Sequence, residues 1–379
     1  MPVIIGIDAS RCLSGGAVQH IKGIITNFCN SDNKIKEIHL WSYTSLINDI
    51  PDYPWLVKHN PSVLDKSLLH KIIWQMLKLK RELLKYKCDI LFSADATTVT
   101  NFKPMIVLSQ DLLSYENGIM NQFGFGLKRL RLIIIYYIQN LAFKRSIGVI
   151  FLTNYTSNLI QKHTGKLNNI AIIPHGSNDI FLNLPLKQFE DFKEKKIIEC
   201  LYISNVEIYK NHINVLKAVS FLREKGFPLN LTFIGGGNGS ALKELNQNVK
   251  IYDPNLQFLQ MYGFINNSEL PKFLANSDIF IFASSCETWG ITLLEAMSSG
   301  LPIVCSNKSS LPEVLRDSGL YFNPADFISI ANAIETIIIN QDLREYLKKS
   351  AKSYASLFTW KRCSLSTFSF IIDSYNDFK

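Results

Sequence analysis

The amino-acid sequence predicts an α/β protein of two tandem, Rossmann-like, doubly wound domains facing a cleft. Three observations predict it. The chain has 379 residues, long for one ordinary domain. Short apolar runs alternate with helical stretches in both halves, as in parallel sheets covered on both faces. Between the halves, Lys187–Lys196 is charged and lacks apolar periodicity. The domains are expected at 1–185 and 198–360, with a linker at 186–197 and a helix at 361–379 packing back toward the first domain.

In the first half, Pro2–Asp8 reads as a strand, followed by the turn Ser14-Gly15-Gly16 and a helix from Ala17 to Phe28. Further strands are expected at Glu37–Trp41, Ile90–Phe92, Met105–Leu108 and Gly148–Leu152. The second half restarts with a strand at Ile198–Ser204 and a helix at Asn211–Lys225. Leu229–Ile234 is a strand ending in Gly235-Gly236-Gly237, and Gln260–Gly263, Ile279–Ala283 and Pro302–Cys305 continue the series. Helical sequence runs from Ser329 to the end. Open sheets of this kind take ligands at the carboxyl ends of their strands, so functional residues are expected there.

Composition narrows the partners without choosing among them. The net charge of +8 favours phosphates, nucleic acid or an anionic membrane surface. The seven cysteines are scattered, with no C-x-x-C pair, so they read as small buried hydrophobes in a reducing compartment. The first residues lack a basic leader, and no window approaches the roughly 20 apolar residues of a membrane span. A cytoplasmic protein is expected, soluble or peripheral on the cytoplasmic face of the inner membrane.

The most informative window is Phe280–Ser306, FIFASSCETWGITLLEAMSSGLPIVCS. A buried strand runs into a loop of small residues, then Glu287, then a helix starting near Gly290. Helical spacing puts Thr292, Glu295 and Ser299 on one polar stripe. Ser298-Ser299-Gly300 ends the helix, and Pro302 opens the next strand. Free N–H groups at the helix start, around Trp289–Ile291, suit a diphosphate, and carboxylates nearby suit sugar and ribose hydroxyls. Taken alone, two glutamates seven residues apart read as a solvated helix face. The whole setting of strand, loop, Glu, helix, Glu, Gly-Leu-Pro and strand points to a donor site.

Glu287 to Ile303 resembles the signature of the retaining glycosyltransferase family four, whose members have the two-domain GT-B fold. The resemblance extends over nearly the whole chain. Asp8-Ala9-Ser10 with Ser14-Gly15-Gly16 looks like its N-terminal glycine loop, and Ile173-Pro174-His175-Gly176 its segment before the hinge. Tyr209-Lys210-Asn211, Pro312-Glu313-Val314 and Phe322-Asn323-Pro324 resemble further segments. The resemblance implies that Glu287 contacts sugar hydroxyls, Glu295 holds the ribose and Lys210 neutralises the departing diphosphate. Gly290, Ile291 and Thr292 would offer backbone contacts, and Gly263, Phe264 and Ile265 would flank the base. On the acceptor side it implies Gly15, Gly16, Gln110 and Asp111. Specificity would rest on loop side chains such as Thr288 and Trp289.

Two positions depart from the pattern. Asn205 stands where a phosphate-binding Arg is common, and Gln110 stands where a His is common. Gln can bond a sugar hydroxyl but cannot titrate, which excludes acid–base catalysis there. No two aspartates are two residues apart, so no Asp-x-Asp metal site is expected and no cofactor beyond the nucleotide sugar. Lys210 and the helix dipole would replace the cation.

On the acceptor side, Leu64–Lys87 is helical and carries seven Lys or Arg against Asp65 and Glu82, and Lys128–Arg145 is a second basic, apolar stretch. Such segments can rest on anionic headgroups, although packing on the sheet is the simpler expectation for their apolar residues. The lysine excess fits a lipid-linked oligosaccharide acceptor, as in O-antigen or capsule synthesis. A nicotinamide oxidoreductase is excluded by the lack of G-x-G-x-x-G after the first strand. A sugar-nucleotide epimerase of the same fold and a non-catalytic nucleotide-sugar binder are the alternatives. A nucleic-acid partner is not expected, because the aromatics lie mostly in apolar runs.

Overall fold

The computed structural model of the chain describes residues 2–13, 15–30, 33–186, 192 and 194–379. Ser14 and half of the 186–197 linker lie outside the described residues. The chain forms two compact units. Unit 1 comprises the chain up to Gly176 together with Thr359–Lys379, and unit 2 is Ser177–Phe358.

The sheet of unit 1 has seven parallel strands: β1 (Val3–Asp8), β2 (Ile35–Trp41), β3 (Leu56–His59), β4 (Ile90–Ser93), β5 (Met105–Leu108), β6 (Gly148–Phe151) and β7 (Ile170–Ile172). Their order is β3-β2-β1-β4-β5-β6-β7. The sheet of unit 2 has six: β8 (Ile198–Ile203), β9 (Leu229–Ile234), β10 (Leu259–Tyr262), β11 (Ile279–Phe282), β12 (Ile303–Ser306) and β13 (Leu320–Phe322), in the order β10-β9-β8-β11-β12-β13. All pairings are parallel. Each sheet therefore reverses its winding once, between β1 and β4 and between β8 and β11. A crevice forms at such a point because the connections leave it in opposite directions.

The central strands are buried along their whole length, as their continuous apolar runs require: β4, β5, β6, β11 and β12 have no exposed residue. Three strands that no sequence run announced, β3, β7 and β13, are short and lie at sheet edges, where burial on both faces is not needed. Six of the seven cysteines are buried and Cys29 is exposed. Among the described residues no helix is long and apolar enough to cross a membrane.

The two crossings between the units fall at Gly176–Ser177, ahead of the segment expected as linker, and at Phe358–Thr359. Local packing sets them there. A Cβ on Gly176 would stand 2.1 Å from the Trp360 nitrogen, so only glycine lets these backbones touch. One residue on, the Ser177 N–H donates to the Phe358 carbonyl at 2.9 Å. The final helix, Trp360–Phe378, belongs to unit 1, where Ser364 Oγ bonds the Ile24 carbonyl at 2.7 Å.

Candidate active site

Two sequence-marked segments of unit 2, the one around Lys210 and the window Phe280–Ser306, meet at the carboxyl ends of β8 and β11. The loop after β8 forms a short 3-10 turn, Ile208–Lys210. Asn211 follows in the left-handed conformation, φ 54°, and its side-chain amide donates to the Ala283 carbonyl at 2.7 Å and to Ser285 Oγ at 2.8 Å. The Ser285 N–H donates back to the Tyr209 carbonyl at 2.8 Å. These bonds bolt the Lys210 loop to the end of β11. Held this way, Lys210 Nζ forms an ion pair with Glu287 Oε1, both side chains mostly buried. Pairs shielded from water attract more strongly than surface pairs.

Glu287 is fixed from the other side too. Its carbonyl accepts from Ser309 Oγ at 2.9 Å and Ser310 Oγ at 2.8 Å, and its N–H donates to Ser309 Oγ at 3.1 Å. Three residues on, Gly290 sits against the Phe282 ring and opens the helix Ile291–Ser299. The helix N-terminus thus lies at the end of β11, and the N–H groups of its first turn, which have no carbonyl within the helix to bond, follow shortly after Glu287 in the chain. Thr292 Oγ1 is committed to the Ile203 carbonyl at 3.3 Å, which leaves its backbone for a ligand.

Glu295 corrects the simplest reading of two glutamates taken alone. It does not lie on a solvated stripe: the helix is covered on all sides, and Glu295 is 3% exposed. Helices Asp179–Leu182 and Gln341–Ala355 supply that cover. Its Oε2 has no hydrogen-bond partner among the described residues, and burial pushes the carboxyl up to about 8, so it is mostly neutral at pH 7. A neutral carboxyl both donates and accepts, which suits a vicinal diol. Trp289 corrects another. Its side chain is buried against Phe358, ring centroids 5.1 Å apart, so it supports the loop from within unit 2.

A second cluster forms at the ends of β8, β9 and β10. Gly235 has φ 135°, and a Cβ there would stand 2.2 Å from the Ser204 carbonyl oxygen, so the turn after β9 closes on the exposed Asn205 only with glycine. The Gly235 N–H donates to the Gly263 carbonyl at 3.2 Å. The Phe264 ring, 75% exposed, lies on Gly236, and Ile265 follows half-buried. Asn205, Gly263, Phe264 and Ile265 are thus neighbours around the glycine turn.

In unit 1 the switch point is built differently. Asp8 ends β1 buried, accepting from Gln75 Nε2 at 2.6 Å and the Ser10 N–H at 3.0 Å, and burial raises its pKa. Gln110 Nε2 donates to the Ala94 carbonyl at 2.8 Å and so ties the ends of β5 and β4. Asp111 accepts the Leu113 N–H at 2.9 Å; burial, with the Asp95 charge nearby, raises its pKa. Gly15 and Gly16 open the helix Gly15–Thr26 with free space around both, instead of preceding it in a loop. Arg11 Nε, 3.8 Å from Asp95 Oδ2 in an ion pair, and Gln75 Oε1, Thr98 Oγ1 and Ser109 Oγ are buried near these strand ends with no hydrogen-bond partner among the described residues. His175 is buried with its Nδ1 3.1 Å from His20 Nδ1, and burial lowers it to about 3, a packed residue of the core.

The sequence did not mark Ser309 or Ser310 as parts of this site, and it marked Asn211 only through the segment Tyr209-Lys210-Asn211. The two serines lie in an unremarkable run, Asn307–Ser310, whose role appears only once β12 is placed beside β11.

Two Rossmann-like parallel sheets, the second closed at its switch point by a lysine–glutamate pair and a helix N-terminus, define the GT-B fold. Solved structures agree over nearly the full chain. Sucrose-phosphate synthase from Thermosynechococcus elongatus superposes with TM-score 0.79 at 16% identity, covering 99% of this chain and 100% of that one. HepE from Anabaena in complex with UDP-glucose gives TM-score 0.70 at 16% identity, covering 97% and 98%. Residues 186–354 match the family described as glycosyl transferases group 1. The O-antigen chain mannosyltransferase B of Escherichia coli is 31% identical over 170 residues, 44% of each protein. The chain matches less than half the length of this and other curated relatives.

Proposed function

We propose that this chain is a retaining, metal-independent glycosyltransferase that moves a hexosyl group from a GDP- or UDP-sugar, of mannose type, to a glycan acceptor. The acceptor is a lipid-linked oligosaccharide of O-antigen or capsule synthesis, met at the cytoplasmic face of the inner membrane. The observation that carries this reading is the Lys210–Glu287 pair beside the N-terminus of the helix Ile291–Ser299. Kinship with the O-antigen enzyme supports the acceptor class, and the UDP-glucose held by HepE supports the donor class.

The chemistry follows from charge. As the bond from the anomeric carbon to the diphosphate oxygen breaks, the leaving group gains negative charge. Lys210 and the N–H groups at Gly290, Ile291 and Thr292 stabilise that charge where it develops, which lowers the barrier. Glu287 holds sugar hydroxyls and orients Lys210. Glu295 bonds the ribose, which would give its buried Oε2 a partner. Asn205, Gly263, Phe264 and Ile265 flank the base. The acceptor hydroxyl attacks from the face the diphosphate leaves, and its proton passes to a donor phosphate oxygen, so no protein base is needed. In unit 1, Gly15, Gly16, Gln110 and Asp111 serve the acceptor.

A thermal-shift screen against UDP-, GDP- and other sugar nucleotides tests the donor reading. One of them is expected to raise the melting temperature, and Glu295→Ala to abolish that rise. Failure of every nucleotide sugar sinks the reading. Transfer is expected to survive EDTA. An epimerised donor formed without acceptor would place the chain among epimerases instead.

A further inference from the structure

Unit 1 carries a surface that neither its core nor the donor chemistry uses. The helix Leu127–Arg145 turns Leu132, Gln139, Ala142 and Phe143 inward. Its other side is apolar as well. Leu127, Leu130, Ile134, Tyr137 and Leu141 repeat at three- and four-residue steps, so they form one stripe, and they are 47 to 86% exposed. Phe125, just before the helix, is fully exposed. The expectation that these apolar residues pack on the sheet is thus wrong for this stripe. The helix carries five Lys or Arg and no carboxylate.

A second helical run shows the same surplus. From Leu68 to Lys85 the chain is helical, with a π turn at Gln75–Leu79. Leu69, Ile73, Met76, Leu77 and Leu84 are 45 to 64% exposed along it, among Lys78, Lys80, Arg81 and Lys85. The two runs cover the same face of the sheet. The crossovers β3 to β4 and β5 to β6 both advance in one direction along the strand order, and right-handed crossovers that advance together lie on one face.

We propose that this face of unit 1, led by the stripe Leu127–Leu141, docks on an anionic lipid bilayer. Charge and shape choose the occupant. A second copy of the chain would set one carboxylate-free, cationic helix against another, and like charges repel. Two helices on one face of the sheet that both project apolar side chains between cations suit headgroups and the outer acyl region. Residues of this kind bind by apolar burial and electrostatic attraction together, so both are required. The inference deepens the reading above, in which the acceptor is lipid-borne, and it can fail separately: the donor tests read unit 2, and the lipid tests read unit 1.

Flotation of the full chain with vesicles tests it. Phosphatidylcholine vesicles containing phosphatidylglycerol are expected to carry the protein, pure phosphatidylcholine vesicles to leave it behind, and high salt to release it. The double variant Ile134→Glu, Tyr137→Glu is expected to lose vesicle binding by about tenfold or more, because it removes apolar burial and adds repulsion. Both residues are outside the core and the donor site, so melting temperature and nucleotide-sugar binding are expected to stay unchanged. Leu77→Glu on the second run is expected to weaken binding less. Equal flotation of variant and parent, or equal binding to neutral vesicles, overturns the proposal. So does a dimer in light scattering that Ile134→Glu dissolves, which would assign the face to a second copy.

Discussion

The two units share the strand order around their reversal points, yet their carboxyl edges are built from different chemistry. In unit 2 the edge holds a formed ion pair, a bolted loop and a helix N-terminus. In unit 1 it holds the longer Arg11–Asp95 ion pair, 3.8 Å, with Asp8 and Asp111, both shifted toward the neutral form, and with polar atoms of Gln75, Thr98 and Ser109 that have no hydrogen-bond partner among the described residues. A preset cation suits a phosphate, whose charge is fixed and grows during reaction. Neutral, half-satisfied groups suit hydroxyls, which donate and accept in turn. The topology supplies a crevice twice, and the side chains at the strand ends decide what each crevice can hold.

The largest expected effect tests the charged edge. Lys210→Ala should lower kcat by about 10²- to 10³-fold, the scale for losing one preorganised stabiliser of developing charge. Loss from Asp111→Asn as large as from Lys210→Ala would break the comparison. Next comes Glu295. Its folded carboxyl stays protonated up to about pH 8, while in the unfolded chain it ionises from about 4.5. Between those values the unfolded chain binds fewer protons, so the native state loses stability as pH rises. Glu295→Gln should therefore melt higher than the parent at pH 8, and the gap should close toward pH 4; a gap independent of pH would mean the carboxyl is not held neutral.

The bolt on the Lys210 loop gives a smaller effect. Asn211→Gly keeps the left-handed backbone and loses the side-chain bonds, costing about 1 to 3 kcal/mol, and Asn211→Ala should cost more by adding strain. Chemical denaturation of both would order them. The smallest effect is expected in unit 1: Asp111→Asn should raise the acceptor KM about fivefold or less and leave donor-induced thermal shifts unchanged.

How much of this could be read in advance depended on where the information sits in the chain. The inner strands announce themselves because burial on both faces demands continuous apolar runs, as at Ile279–Phe282. The edge strands β3, β7 and β13 carry no such demand and stayed hidden. Lys210 and Glu287 were legible because a local motif surrounds each, but their pairing joins positions 77 residues apart. The burial of Glu295 was illegible for a related reason. Helical periodicity marks a polar stripe, yet the helices covering it begin at Asp179 and Gln341, far away in sequence. The outward stripe at Leu127–Leu141 escaped for the converse reason: an apolar period marks a face, not which way the face points.

The contact between Gly176 and Trp360 has a consequence for how the molecule can be taken apart. Unit 2 is one continuous stretch, so it could be expressed as a single fragment. Unit 1 is interrupted by it, like a sentence broken by a parenthesis. Because the backbone at Gly176 already touches Thr359 and Trp360, the break can be spliced with hardly any added chain. The second unit is thus a removable insert in a genetic sense, and a spliced first unit would show whether the lipid-facing surface folds without its guest.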